Sequence, residues 1–158
     1  MRGLGTLPKA SNAESPATAT CPEILTAWPQ LRALHARSLL CWLATRDEDQ
    51  GANVSPKEIF AFTLPGTLLI GEIASTRSLR NIARDPRVCV SMIDLQRQRG
   101  GFKVLGKAEI ISSAHPSYAD MMAQVLPYAG ELNVIRNVIA VSVTKVIAIK
   151  APAHLQSR

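Results

Sequence analysis

Residues 137–150, NVIAVSVTKVIAIK, constrain the fold more than any other stretch of the chain. The segment is dominated by β-branched side chains in alternation, a pattern of period two that suits a strand and disfavours a helix. A second long strand is predicted over 101–113 (GFKVLGKAEIISS), with Gly106 as a bulge or a point of close backbone approach. Shorter strands are predicted at 39–45, 52–62, 68–74 and 87–94, with turns at 46–51 (RDEDQG) and 64–67 (LPGT). Helical spacing appears in three places. One is 22–35, where Ile24, Leu25, Trp28, Leu31, Leu34 and His35 recur every three or four residues and Pro29 predicts a kink or two short helices. The others are 76–84, ended by Asp85-Pro86, and 116–126. Six strands with short helices at their junctions predict a mainly β, α+β fold built as a small antiparallel barrel.

A chain of 158 residues suits one domain with a substantial core. Residues 1–21, rich in Ala, Ser, Thr, Gly and Pro, are expected to be a disordered arm, 22–150 the folded domain and 151–158 a short tail. The start lacks the basic, apolar and small-residue order of a secretory signal, and no apolar run reaches spanning length, so a cytoplasmic protein without membrane contact is expected. Cys21, Cys41 and Cys89 are odd in number and widely spaced, which argues against a disulfide framework or a zinc site and for buried free thiols at the last two. The acidic run Asp47-Glu48-Asp49 reads as a solvated turn, so no metal site is expected.

Charge is uneven. Between Arg77 and Lys107 stand eight basic residues against two acidic ones, which equals the whole net charge of +6. Such a patch suits a polyanion or a phosphorylated small molecule. Aromatic residues make up only 4% of the chain, too few to stack bases across a sheet, so nucleic acid is not expected as a partner. Within the patch, Ser75-Thr76-Arg77-Ser78-Leu79-Arg80-Asn81 opens a helix with hydroxyls and positive charge. Taken alone it reads either as a capped surface helix with solvated arginines or as an anion site at the positive end of the helix. Arg77 and Asn81, four apart, are expected on one face.

The order of parts resembles the FMN-binding split β-barrel family, which includes pyridoxamine 5′-phosphate oxidase and its small relatives. The resemblance rests on Leu43-Ala44-Thr45, Asn53 to Lys57 (NVSPK), the strand at 68–74, Thr76-Arg77-Ser78 through Asn81-Ile82-Ala83, Asp85-Pro86-Arg87-Val88 and Gly106-Lys107-Ala108-Glu109. It implies a six-stranded antiparallel split barrel with short flanking helices. It also implies a homodimer with FMN, ahead of FAD or a deazaflavin, in clefts at the subunit interface, and an oxidoreductase acting on a small molecule. Carried over residue by residue, it sets the phosphate on Arg77 and Ser78 with Thr76 and Asn81 beside them. Ser55, Pro56 and Lys57 would run along the flavin ring, with Lys57 at its polar edge, Ile73 would give a main-chain contact, and Gly101, Phe102 and Lys103 would pass close by.

Other readings stand beside these. Ser55-Pro56 can be an edge-strand device, Lys57 can pair with Glu58 at the surface, and the glycines at 100 and 101 can be an ordinary turn. Trp28 and Trp42 are expected in the core or an interface rather than on a flavin. Two departures from the oxidases argue against vitamin B6 oxidation. The tail at 151–158 is too short to supply their substrate-binding basic and histidine residues, and Gly101 stands near their flavin-side glutamine. A flavin or haem carrier or sensor on the same barrel is the alternative to an enzyme.

Overall fold

The computed structural model describes residues 21–49, 51–94, 100–130 and 134–150. The expected arm up to residue 20, the tail and most of the basic loop at 96–100 lie outside them. The elements run α1 (Pro22–His35), β1 (Cys41–Arg46), β2 (Ala52–Lys57), β3 (Phe60–Phe62), β4 (Thr67–Glu72), α2 (Thr76–Arg84), β5 (Arg87–Ile93), β6 (Gly101–Ile111), α3 (Tyr118–Val125), a 3₁₀ turn (Leu126–Tyr128) and β7 (Asn137–Ile149). The fold is α+β and mostly antiparallel, one sheet in the order β2-β1-β5-β6-β7-β4-β3. The sheet has seven strands rather than six because 52–62 divides at Glu58-Ile59. Ala52–Lys57 pairs with β1 at one edge, and Phe60–Phe62 crosses to pair with β4 at the other.

β6 and β7 are the spine, paired along almost their full lengths with the register shifting at Leu105/Gly106. A Cβ on Gly106 would lie 2.4 Å from the Ser142 carbonyl oxygen, so the strands can approach there only through glycine. Pro29 does not break α1. It and Leu25, whose carbonyl loses its helical donor, are both on the exposed side, where water can take the bond. Trp28, Leu31 and Leu34 bury the opposite stripe.

Two cores result. The larger fills the barrel with inward residues of β1, β4, β5, β6 and β7 together with α1 and Ile82. The smaller lies on the other face of β3, β4 and β7, where Ile59, Leu69, Ile111 and Val138 pack beneath α3 and Val125. Cys41 is buried and Cys89 half-buried, both free thiols, while Trp28 is buried and Trp42 lies 46% exposed. No helix among the described residues is long and apolar enough to cross a membrane.

Candidate functional site

The helix α2 lies over one end of the barrel, where it packs on β1 and β6. Its buried positions are Ser78, Asn81 and Ile82, the three- and four-residue spacing of one face. Both polar side chains on that face are satisfied by the barrel. Ser78 Oγ lies 3.2 Å from Ser55 Oγ, and Asn81 Nδ2 donates to Thr45 Oγ1 at 3.0 Å. Thr45 Oγ1 also accepts from Asn53 Nδ2 at 3.1 Å. These bonds fix the helix on β1 and β2. Thr76, Arg77 and Arg80 are exposed, so Arg77 and Asn81 fall on different sides of the burial boundary.

The start of α2 differs from a hydroxyl-capped helix. Ser75 stands at the N-cap position but makes no side-chain cap bond. The acceptor there is Glu72, whose Oε1 takes the N–H groups of Ala74 at 3.1 Å and Ser75 at 2.5 Å. The Thr76 N–H donates to the Ala74 carbonyl, and the Leu79 N–H to the Ser75 carbonyl. Among the described residues the N–H groups of Arg77 and Ser78 have no acceptor, and the Arg77 guanidinium forms no ion pair.

Lys57 does not form the surface pair with Glu58 that the sequence allowed. It is only 6% exposed, and its ammonium is paired with Glu72 Oε2 inside the barrel. The parity of β2 explains this. Asn53, Ser55 and Lys57 stand opposite the inward residues Thr45, Leu43 and Cys41 of β1, so Lys57 must point in. Inward on β4 are Leu68, Ile70 and Glu72, and a buried ammonium needs that carboxylate. The pair crosses the split of the barrel, where β2 and β4 approach without a hydrogen-bonded ladder. Burial pushes the neighbouring Cys41 thiol up to about 12, against the opposing pull of the Lys57 charge.

The other expected site residues are dispersed. Ile73 is half-buried against the smaller core. Pro56 and Lys103 are exposed on the outer face of the sheet, in one row that runs Pro56, Trp42, Ser91, Lys103, Ile147. Three inter-strand spacings separate Pro56 from Lys103, roughly 14 Å. Phe102 turns inward against the larger core. A Cβ on Gly101 would lie 2.0 Å from the Met92 carbonyl oxygen, so this glycine is required by the neighbouring strand β5.

At the other end of α2 an open cleft of about 480 Å³ is lined by Arg46, Asp47, Glu48, Arg84, Asp85 and Arg87. Three of its charges are mutually engaged. Arg87 and Arg46 both bind Asp85, at 2.7 and 3.2 Å, and the hydrogen bond from Arg87 holds the Asp85 carboxyl well below the usual range. No group of three or more His, Cys, Asp or Glu among the described residues is placed to hold a metal ion.

Sequence reasoning missed Glu72, Thr45 and Asn53. Glu72 carried a usable signal, since an acidic residue four positions after Leu68 and two after Ile70 shares their inward parity. Thr45 and Asn53 carried none, because their role depends on the register of β1 and β2.

A family model described as pyridoxamine 5′-phosphate oxidase matches residues 27–150. No significant match occurs among curated proteins. Among solved structures, an FMN-binding protein from Syntrophomonas wolfei aligns at TM-score 0.67 and 14% identity, covering 81% of this chain and 89% of its own. The haem storage protein HutZ from Vibrio cholerae aligns at 0.62 and 17%, covering 77% and 93%. An F420 reductase aligns at 0.59 and 26%, covering 73% and 94%.

Proposed function

The chain belongs to the pyridoxamine 5′-phosphate oxidase family, and from that premise we propose that it is an FMN-dependent oxidoreductase whose cofactor phosphate docks at the start of α2. The observation that carries this reading is the donor set there. An exposed guanidinium without an ion pair among the described residues stands beside two N–H groups without acceptors, at the positive end of a nine-residue helix. A phosphate monoester needs charge-assisted donors of this kind, and the Thr76 hydroxyl adds one more on the exposed side. Ser78 and Asn81 act from behind. Their side chains, bonded to Ser55 and Thr45, hold the helix so that its donors stay aligned.

When bound, FMN supplies hydride or electron transfer. The chain's part is to bind and orient it, the strand segment Ser55-Pro56 being tied to α2 by the contact of the Ser55 hydroxyl with that of Ser78. The outer face supports a homodimer. Trp42, Val54, Ile93 and Ile147 are 46, 54, 49 and 39% exposed in the single chain, and a second copy would take this strip out of water. Gly101, Phe102 and Lys103 lie far from Ser55 on the same sheet, which suits a cleft shared by two subunits, with β2 and α2 from one and the start of β6 from the other. A small-molecule substrate other than a B6 vitamer fits Gly101, which offers no side chain near the position where the oxidases carry a flavin-side glutamine. The described residues give a haem-carrying role less support, since among them His35 is packed between Phe60 and Tyr128 and His115 Nδ1 accepts the Ser117 N–H.

Fluorescence titration tests the reading. FMN is expected to saturate the protein at micromolar concentration, and reduction of the bound flavin by NADH or NADPH with turnover separates an enzyme from a carrier. Failure of FMN to bind overturns it.

A further inference from the structure

We infer that Lys57 and Glu72 form a clasp that positions the phosphate arm of the site, with Lys57 serving Glu72 and not the flavin ring. The inference rests on the flavin reading above and assigns roles to two residues that touch no ligand in it. Three features of the structure carry it.

Glu72 ends β4 at its inward parity, and its two oxygens face different tasks. Oε1 accepts the N–H groups of Ala74 and Ser75, the two residues that lead into α2, while Oε2 is held by Lys57. The N–H groups left over at the helix start are those of Arg77 and Ser78, one turn further on. The carboxylate thus fixes the lead-in and leaves the next two donors for an exogenous anion.

A bare carboxylate at that spot would repel the phosphate that the helix start is to receive. Both partners are almost fully buried, at 6% and 3% side-chain exposure, so little water intervenes to screen Glu72. The ammonium of Lys57 neutralises it. A lysine in this place therefore strengthens anion binding without contacting the anion.

Lys57 belongs to the edge strand β2 and Glu72 to β4, and the described ladders do not join these strands. The ion pair ties the helix start to the strand that carries Ser55, whose hydroxyl meets Ser78 one turn into the same helix. The lead-in to α2 is set by Oε1 of the same carboxylate, so the acceptor oxygen and not the tie across the split aligns the anion donors.

The test compares FMN with riboflavin, which lacks the phosphate, across two charge-balanced double variants. Lys57→Met with Glu72→Gln keeps an acceptor oxygen for the Ala74 and Ser75 N–H groups, whereas Lys57→Met with Glu72→Met does not. The glutamine pair is expected to keep the wild-type preference for FMN over riboflavin. The methionine pair is expected to lose about tenfold of that preference, the equivalent of one hydrogen bond to a charged group, with riboflavin affinity unchanged. Amide hydrogen exchange at Ala74 and Ser75 in the flavin-free protein is expected to accelerate only in the methionine pair.

A purely structural pair would lower both flavin affinities together or neither, and that result overturns the inference, as does unchanged exchange at Ala74 and Ser75. If the methionine pair does not fold, Glu72→Asp with Lys57 intact withdraws the carboxylate by one methylene, and the same loss of preference is expected. An unchanged ratio there overturns the clasp. Wild-type protein that binds neither flavin, or both equally, overturns the flavin reading itself and is told apart by needing no variant.

Discussion

Replacing Lys57 by Met should destabilise the fold by about 3 kcal/mol, the low end of the range for breaking a buried ion pair. The magnitude follows from what is left behind. Glu72 would remain nearly inaccessible to water with its charge unpaired, while retaining the Ala74 and Ser75 N–H donors that offset part of its desolvation. Lys57→Met with Glu72→Met removes the stranded charge and fills similar volume with apolar side chains. That double variant should recover part of the loss and remain about 1–2 kcal/mol below wild type, since exchanging the ion pair for apolar groups is often neutral but the Ala74 and Ser75 N–H groups lose their acceptor. Urea unfolding of the four proteins of this double-mutant cycle, with linear extrapolation, gives the coupling energy directly. A single variant that loses less than about 1 kcal/mol would mean that the pair behaves as a surface salt bridge, and the argument from burial would be wrong.

Gly101→Ala puts a methyl 2.0 Å from the Met92 carbonyl oxygen and should force β5 and β6 apart, lowering the melting temperature by several degrees, on the order of 2 kcal/mol. Arg77→Ala should weaken FMN by about 1.5–3 kcal/mol, the range for a hydrogen bond to a charged group, with the melting temperature unchanged because the side chain is exposed. Trp42→Arg should leave circular dichroism intact and give a monomeric mass by light scattering if the outer face is the contact between copies; an unchanged dimer would place that contact elsewhere. Burial lowers the His35 pKa from its ordinary 6.5, with the Phe60 backbone hydrogen bond opposing and the Arg32 charge adding to the effect. The unfolded chain then binds the proton first, so stability should fall as pH drops below about 6.5. The decline should be absent in His35→Phe, followed by denaturation between pH 7 and 5.

The fold was legible wherever side-chain period alone decided it. β6 and β7 announce themselves through β-branched alternation, the bulge through Gly106, and α2 through Asp85-Pro86 after it. The division of 52–62 was not legible, because FAF and ANVSPK differ in which edge they join rather than in their local preference. Pro29 misled for a related reason, since its effect depends on whether the lost hydrogen bond faces water. At the site, Ser55, Arg77, Ser78 and Asn81 all lie on or against α2, but Ser78 and Asn81 are buried, Ser55 is half-buried and only Arg77 is exposed. Lys57 could not be assigned from sequence, because nothing local separates a lysine beside Glu58 from one that reaches Glu72 across the barrel split.

The account rests most heavily on an anion held at the start of α2, and the ratio of FMN to riboflavin dissociation constants for the wild-type protein tests it most directly. Two N–H donors and a guanidinium predict FMN tighter by at least about tenfold. Equal affinities, or no binding of either flavin, would contradict it.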